Sequence, residues 1–451
     1  MGIKGPLLQW FKHYLTNRNQ RVVIEGKEST WGEIKAGVPQ GSVLGPLLFL
    51  VYINDITCAV NSNIRLFADD TTIFIEVEDP TLAAEALNKN LSEISKWAKQ
   101  WLITFSPPKT ESMLVSLRTS DINHPPLYLD STEIKEVVHH KHLGVTLSNN
   151  LKWEAHVQAV TSKAGKRLDV LSHLMYKLDR TTLQTMYTSF VLPILEYGDV
   201  MMTNLSERQI YNIELVHKRA GRIVSGATRG TPKSVIYHEL GWESLVKRRE
   251  RHSVLYFHRF VHGQVPAFLS NMLPGHVADR THYNLRNNYN IDTIPSRIDL
   301  LYKSFIPYAI RLWNNLHPEL RDIHEYKAFK TEFYKDKVHT NIFYSLGNRK
   351  AGIHHARIRM KCSALNCDLF NNHISDSAKC VCGHQSEDAV HYFFVCPIYY
   401  IQRAILHDKI IPHAPFNLYT ILNGLENQHH PANKAICNAV HEYIDNTSRF
   451  Y

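Results

Sequence analysis

Apolar and polar positions divide this chain into stretches of different period. Residues 5–16 carry apolar side chains at helical spacing, and "RVVIEG" and "WGEIKAG" flank the turn-forming "KEST" as a hairpin. After the loop "GVPQGS", a nearly unbroken apolar run predicts a buried helix over 44–57. "IRLFADDTTIF" at 64–74 reads as two apolar strands interrupted by Asp69 and Asp70. Leu82, Ala86, Leu87, Leu91, Ile94 and Trp97 mark an amphipathic helix over 81–101, and "SMLVSL" and "HKHLGVTL" predict further strands. Beyond residue 151 the period becomes helical, through 156–177, 180–192 and 206–224. Scattered Gly, Pro and Asn over 262–300 predict a linker, and the chain shows no repeat.

Two adjacent carboxylates in an apolar hairpin repel each other and resist desolvation, so Asp69 and Asp70 require either a cation or an exposed turn. Aspartate tolerates tight turns, and the two solutions are compatible.

Composition narrows the class. With 451 residues, 44% hydrophobic and 21% charged, the chain reads as globular with two or three domains. Its longest apolar run, "PLLFLVYI" at 46–53, falls short of the roughly 20 residues of a membrane span, so no membrane partner is expected. The start lacks a cleavable signal's small-residue site, and seven cysteines crowded towards one end suggest a reducing, intracellular setting, nuclear or cytoplasmic. The net charge of +9 is uneven: Lys and Arg against Asp and Glu number 20 and 21 over 1–200, 25 and 13 over 201–360, and 6 and 8 over 361–451. The basic middle, with Lys218, Arg219 and Arg222 and the cluster Lys247, Arg248, Arg249 and Arg251 among aromatics, suits a nucleic-acid backbone or a solvated helix face.

"AGVPQGSVLGPLLFLVYINDI" at 36–56 followed by "FADD" at 67–70 resembles the palm of a reverse transcriptase, specifically of the non-LTR (LINE-type) retrotransposons. "WAKQWLITFSPPKTESMLV" at 97–115, "HKHLGVTLSNNLKWEAHV" at 140–157, "LPILEYG" at 192–198 and "RLWNNLHPELR" at 311–321 extend the likeness. The resemblance implies RNA-templated DNA synthesis from a DNA primer and deoxynucleotide triphosphates, with two Mg²⁺ ions about 4 Å apart. It assigns Asp69 as the direct Mg²⁺ ligand, Asp70 as its partner, and Lys109 as the group that protonates pyrophosphate. Gly37, Pro39, Gln40 and Gly41 correspond to the loop beside the incoming nucleotide and template base, and Phe67 and Ala68 to positions near the primer end. Phe67 stands where many relatives have Tyr, and Ser106 where "NPSKT"-like relatives have Asn. "HLGVTL", with His142, Leu143 and Gly144, is similar to the primer grip. The family's third catalytic carboxylate lies upstream, and Glu25, Glu28 and Glu33, the acids of residues 1–35, lack its context, so the chain alone is expected to be inactive. The competing expectation is a non-catalytic nucleic-acid-binding remnant.

"CVCGHQSEDAVHYFFVC" spaces Cys380, Cys382, His391 and Cys396 as Cys-x-Cys-x8-His-x4-Cys, close to the C-terminal zinc knuckle of many such elements. Three thiolates and an imidazole suit a closed, structural Zn²⁺ site. His384, Cys362 and Cys367 are alternative ligands, and Cys58 and Cys437 are expected in apolar surroundings. The expected architecture is α+β: a partial right-hand palm over 1–150, a helical thumb-like region over 151–260, a basic helical or linker region over 261–360, and a Cys3His zinc-knuckle module over 361–451.

Overall fold

The computed structural model describes residues 2–118, 122–280, 288–336 and 341–451; residues 281–287 of the expected linker lie outside them. The chain forms two compact units, residues 1–140 with 148–151, and residues 141–147 with 152–451.

In the first unit, Pro6–Leu15 is helical, and nested hairpins pair Arg18–Gln20 with Gly32–Ile34 and Val23–Ile24 with Lys27–Glu28. The apolar run forms the helix Leu44–Ile53, continued by a 3-10 turn over Asn54–Cys58. Ile53 and Ile56 are buried against Ile94, Trp97 and Ala98 of the next long helix. The remainder of the run corrects the expectation of a buried helix: Leu47 is 56% and Leu50 48% exposed. An all-apolar helix has two sides to cover, and one helix against it covers only one. The amphipathic helix runs over Pro80–Gln100 and starts where the Asp79 side chain accepts from the amides of Thr81 and Leu82. Its buried face is Ala84, Leu91, Ile94, Trp97 and Ala98, whereas Leu82 is exposed. Asn63–Phe67 and Asp70–Phe74 form an antiparallel hairpin in the register Phe67 to Asp70. Among the described residues every strand pairs with one other strand, so no wide palm sheet assembles. Cys58, expected in apolar surroundings, is exposed.

The second unit is mainly helical and has three apolar cores. The first joins the helices Glu154–Leu174, Arg180–Met186 and Glu207–Ser225. Ser206 and Gln209 cap the last of these reciprocally, and Gly226 ends it in a left-handed conformation. A second core lies between Leu245–Val261, Phe305–Asn314 and Tyr326–Phe333. Ile291, Val265, Leu269 and Ile294 pack into it, so the described part of the expected linker is folded structure. The third core holds the cysteine-rich segment and reaches back to Phe343, Ala351 and Ile358.

The helix Arg349–Arg359 belongs to two cores at once: Ala356 faces the first, Ala351 and Ile358 the third. Arg349 donates to the carbonyls of Met175 at 2.9 Å, Val224 at 2.7 Å and Ile223 at 2.8 Å, and Arg357 to that of Gly226 at 2.8 Å. These guanidiniums satisfy the orphan carbonyls at the end of the 207–225 helix. Glu239 is buried between Arg180 and Arg359, each 2.7 Å from its Oε1. Burial pushes the Glu239 carboxyl up, but Arg359 and Arg180 overcome it and hold the group below its ordinary value, ionised. The cysteine-rich segment is therefore fastened to the helical region at 341–360, ahead of the boundary expected at 361.

Candidate catalytic hairpin and metal centre

Ala68 and Asp69 form the two-residue turn of the 63–74 hairpin, with Ala68 at φ +50°, and Asp70 opens the second strand. A turn can expose charge that a strand cannot bury, and both aspartates and Phe67 are exposed. Neither aspartate side chain has an ion-pair or hydrogen-bond partner among the described residues, so both carboxylates face solvent at one corner of the hairpin. Lys109 is likewise exposed, at the end of a 3-10 turn over Pro107–Lys109. No ion pair among the described residues joins it to either aspartate.

The Gly37–Gly41 loop is held more firmly than its composition suggests. Gly37 and Gly41 take left-handed φ values of +80° and +76°, and Arg18 donates to the Gly37 carbonyl at 2.5 Å. Ser42 donates to the Pro39 carbonyl at 2.7 Å and accepts from the Gly45 amide at 3.0 Å. A Cβ at Gly45 would stand 2.9 Å from the Pro39 carbonyl oxygen, so only glycine fits this approach. Gln40 remains exposed at the tip. Sequence reading missed Arg18, Ser42 and Gly45; the second glycine of "GSVLG" was the available signal.

His142, Leu143 and Gly144 lie at a turn whose residues 143 and 144 have φ values of +46° and +85°. Tyr197 donates to the Leu143 carbonyl at 2.6 Å.

The ligand atoms of Cys380, Cys382, His391 and Cys396 all lie within 4.8 Å of one another. Cys380 Sγ is 3.8 Å from Cys396 Sγ, and Cys382 Sγ 3.3 Å from His391 Nε2. Tetrahedral zinc with ordinary bond lengths separates two thiolates by ~3.8 Å and a thiolate from an imidazole nitrogen by ~3.5 Å, so the donor set fits that ion. Gly383, at φ +94°, makes the turn in which its amide donates to the Cys380 carbonyl at 2.9 Å. His384 stands outside the cluster, stacked on the His391 ring at 4.2 Å with Nδ1 bonded to the Ser386 carbonyl. Cys362 packs in the first core and Cys367 receives the Asn371 amide, so neither joins the four. Cys437 is buried, as expected. Burial pushes the Cys380 thiol up to about 12.

A support around the cluster was illegible in the sequence. Glu387, 1% exposed, accepts from Arg449 at 2.7 and 2.5 Å and from the Asn366 amide at 2.9 Å. This ties the cysteine loop to the chain's last turn, 62 residues on.

The basic cluster at 247–251 requires a correction. Arg249 and Arg251 are 7% and 8% exposed. Arg251 pairs with Glu243 at 2.9 Å, and Arg248 grips both carboxylate oxygens of Glu196. Unpaired burial of a guanidinium is expensive, so Arg248 and Arg251 turn to internal acids, while Arg249 is buried within reach of the Asp199 charge, and none of the three is presented to a phosphate backbone. Lys247 stays exposed, 3.5 Å from Glu243. On the 207–225 helix, Lys218, Arg219 and Arg222 are half-buried, and Arg219 pairs with Asp169 at 2.5 Å. Burial, together with the nearby Arg229 and Arg219, lowers the Arg222 pKa, which marks a local excess of positive charge.

Residues 1–147 match the family described as reverse transcriptase (RNA-dependent DNA polymerase). The chain is 27% identical over 267 residues to the probable RNA-directed DNA polymerase from transposon BS of Drosophila melanogaster, a match covering 56% of this chain and 29% of that protein. It is 26% identical over 227 residues to the RNA-directed DNA polymerase from mobile element jockey of the same species, covering 48% and 25%. A third match, to the retrovirus-related Pol polyprotein from type-1 retrotransposable element R1 of Bradysia coprophila, is 21% identical over 387 residues and covers 81% and 35%. The matched segments thus span about a third or less of these relatives' own lengths. Residues 1–147, which carry the Gly37–Gly41 loop and the Asp69–Asp70 hairpin, match the reverse transcriptase family, and the similarity of the chain to these transposon polymerases supports a reverse transcriptase of the LINE-type, non-LTR kind.

Proposed function

We propose that this chain is part of an RNA-directed DNA polymerase that extends a DNA primer on an RNA template by two-metal nucleotidyl transfer. The observation that carries the reading is the exposed Asp69–Asp70 corner inside the segment that matches the family. When bound, the two Mg²⁺ ions supply activation of the primer hydroxyl and stabilisation of the leaving pyrophosphate. Asp69 and Asp70 would hold them, the glycine loop would approach the nucleotide and template base, with Gln40 bonding to either donor or acceptor groups, and Lys109 would supply a proton to pyrophosphate. Cys380, Cys382, His391 and Cys396 would hold a structural zinc, which needs reduced thiols and so suits an intracellular setting.

Among the described residues no third carboxylate gathers with Asp69 and Asp70, and the Cys3His cluster is the one group of three or more metal-ready side chains. Purified chain is therefore expected to bind primer–template without extending it, the behaviour of a nucleic-acid-binding piece. Primer extension in Mg²⁺, run with Asp69→Ala as control, tests this: synthesis by the chain that the substitution abolishes would show that another acid completes the site.

RNA retention is assigned to Lys218, Arg219, Arg222 and Lys247. Replacing all four with glutamine in the full chain should reduce the slope of log affinity against log salt by about 3, at roughly 0.7 to 0.9 per released phosphate counterion. An unchanged slope in folded protein would return these residues to a solvated face.

A further inference from the structure

Glu196, Tyr197, Gly198 and Asp199 do work that no motif assigns. The Tyr197 hydroxyl donates to the Leu143 carbonyl at 2.6 Å, and a Tyr197 ring carbon lies 3.1 Å from where a Gly144 Cβ would stand. Gly198, at φ +69°, brings the backbone so near that its own Cβ would meet Val145 at 3.2 Å. From the other side the Thr146 amide donates to His156 Nδ1 at 3.2 Å. The turn thus clasped carries two consecutive left-handed residues, one of them Leu143, whose side chain disfavours that conformation.

The clasp is itself anchored. Arg248 grips the Glu196 carboxylate, and His252 Nδ1 stands 2.7 Å from Asp199 Oδ2, so both flanks of Tyr197–Gly198 are fixed to the 245–261 helix. This gives the basic cluster at 247–251 a use once phosphate contact is excluded for its arginines. Tyr197 nonetheless remains 55% exposed, and Leu143 protrudes beside it.

We propose that Tyr197 is a positioning residue that holds the Leu143–Gly144 turn, the segment that resembles the primer grip, and that its exposed ring adds a contact of its own to the terminal nucleotide of the primer strand. The second half rests on the polymerase reading above. An aromatic face and a protruding Leu suit a sugar and base, which they can cover without reading sequence. Carbonyl and ring contacts keep the turn in its disfavoured conformation before the strand arrives.

The test uses the full chain and an RNA template annealed to a shorter DNA primer whose 3′ nucleotide is 4-thiothymidine. In Tyr197→Phe, which keeps the ring and loses the hydroxyl, amide exchange at Leu143–Val145 should accelerate about fivefold, the worth of one hydrogen bond. Photocrosslinking of the primer end to residues 142–145 and 197 should fall by about the same factor, while overall affinity, carried by distributed basic contacts, holds within about twofold. Arg248→Met should reproduce the crosslink loss without removing any proposed contact. Unchanged exchange in Tyr197→Phe overturns the clasp. Wild-type binding with no crosslink in this segment overturns the strand contact alone. No binding of the hybrid at all overturns the polymerase reading and the strand contact together, and the exchange measurement then still decides the clasp.

Discussion

Chelating zinc from the full chain is expected to unfold the segment from about 364 to 400 and to loosen the third core around it, a loss of ~5 kcal/mol or more where metal organises the fold. Cys380 and Cys396 belong to that core, with Tyr392 and Phe393 between ligands and fully buried. Without an ion, two buried thiols and an imidazole must keep their positions with weak hydrogen bonds, and the His391 Nδ1 has no hydrogen-bond partner among the described residues. Because burial pushes the Cys380 thiol up to about 12, binding must displace a proton, so zinc affinity should strengthen as pH rises. Cys396→Ser should lose one equivalent of zinc and open the segment to protease, whereas Cys362→Ser and Cys367→Ser should keep the metal. Full zinc content in Cys396→Ser would remove that residue from the site. The helix Arg349–Arg359 shares the first core, so the measurement requires the full chain.

Glu239→Ala is expected to be the most damaging single substitution in the helical region, at ~3–5 kcal/mol, the usual result of leaving buried charge uncompensated. Arg180 and Arg359 side chains are each 6% exposed, and both would remain cationic with no carboxylate between them. Arg359 also lies over the Tyr344 ring at 4.0 Å, so its displacement would disturb the start of the third core. The triple change Arg180→Met, Glu239→Leu, Arg359→Met should recover most of the loss, since apolar replacement of a whole buried ion group is often neutral or better. Urea midpoints for the three proteins decide the matter. A Glu239→Ala penalty below ~1 kcal/mol would show that the arginines reach water and that the triad is a surface pair in effect.

By itself the sequence determined what is local. The Asp69–Asp70 turn, the helix from residue 80, the 206–225 helix with its Ser206–Gln209 cap, and the Cys-x-Cys-x8-His-x4-Cys spacing all depend on neighbours within about one turn, hairpin or loop, so residue order carries them. The glycine loop and the 142–144 turn were legible as motifs for the same reason, though not the Arg18, Ser42 and Tyr197 contacts that hold them. Only the tertiary structure decided which way the arginines at 248 and 251 turn, because helical period cannot say whether a cation faces solvent or an acid outside its helix, here Glu196, 52 residues before Arg248, and Glu243, 8 residues before Arg251. It also decided that Arg349 ends a helix 125 residues before it, and that the core holding the cysteine-rich segment draws in Phe343, Ala351 and Ile358. The apolar run at 44–53 marks the same divide: hydrophobicity specified a helix, while burial needs a covering layer, and the faces at Leu47 and Leu50 lie open because burial is a property of two surfaces and not of one.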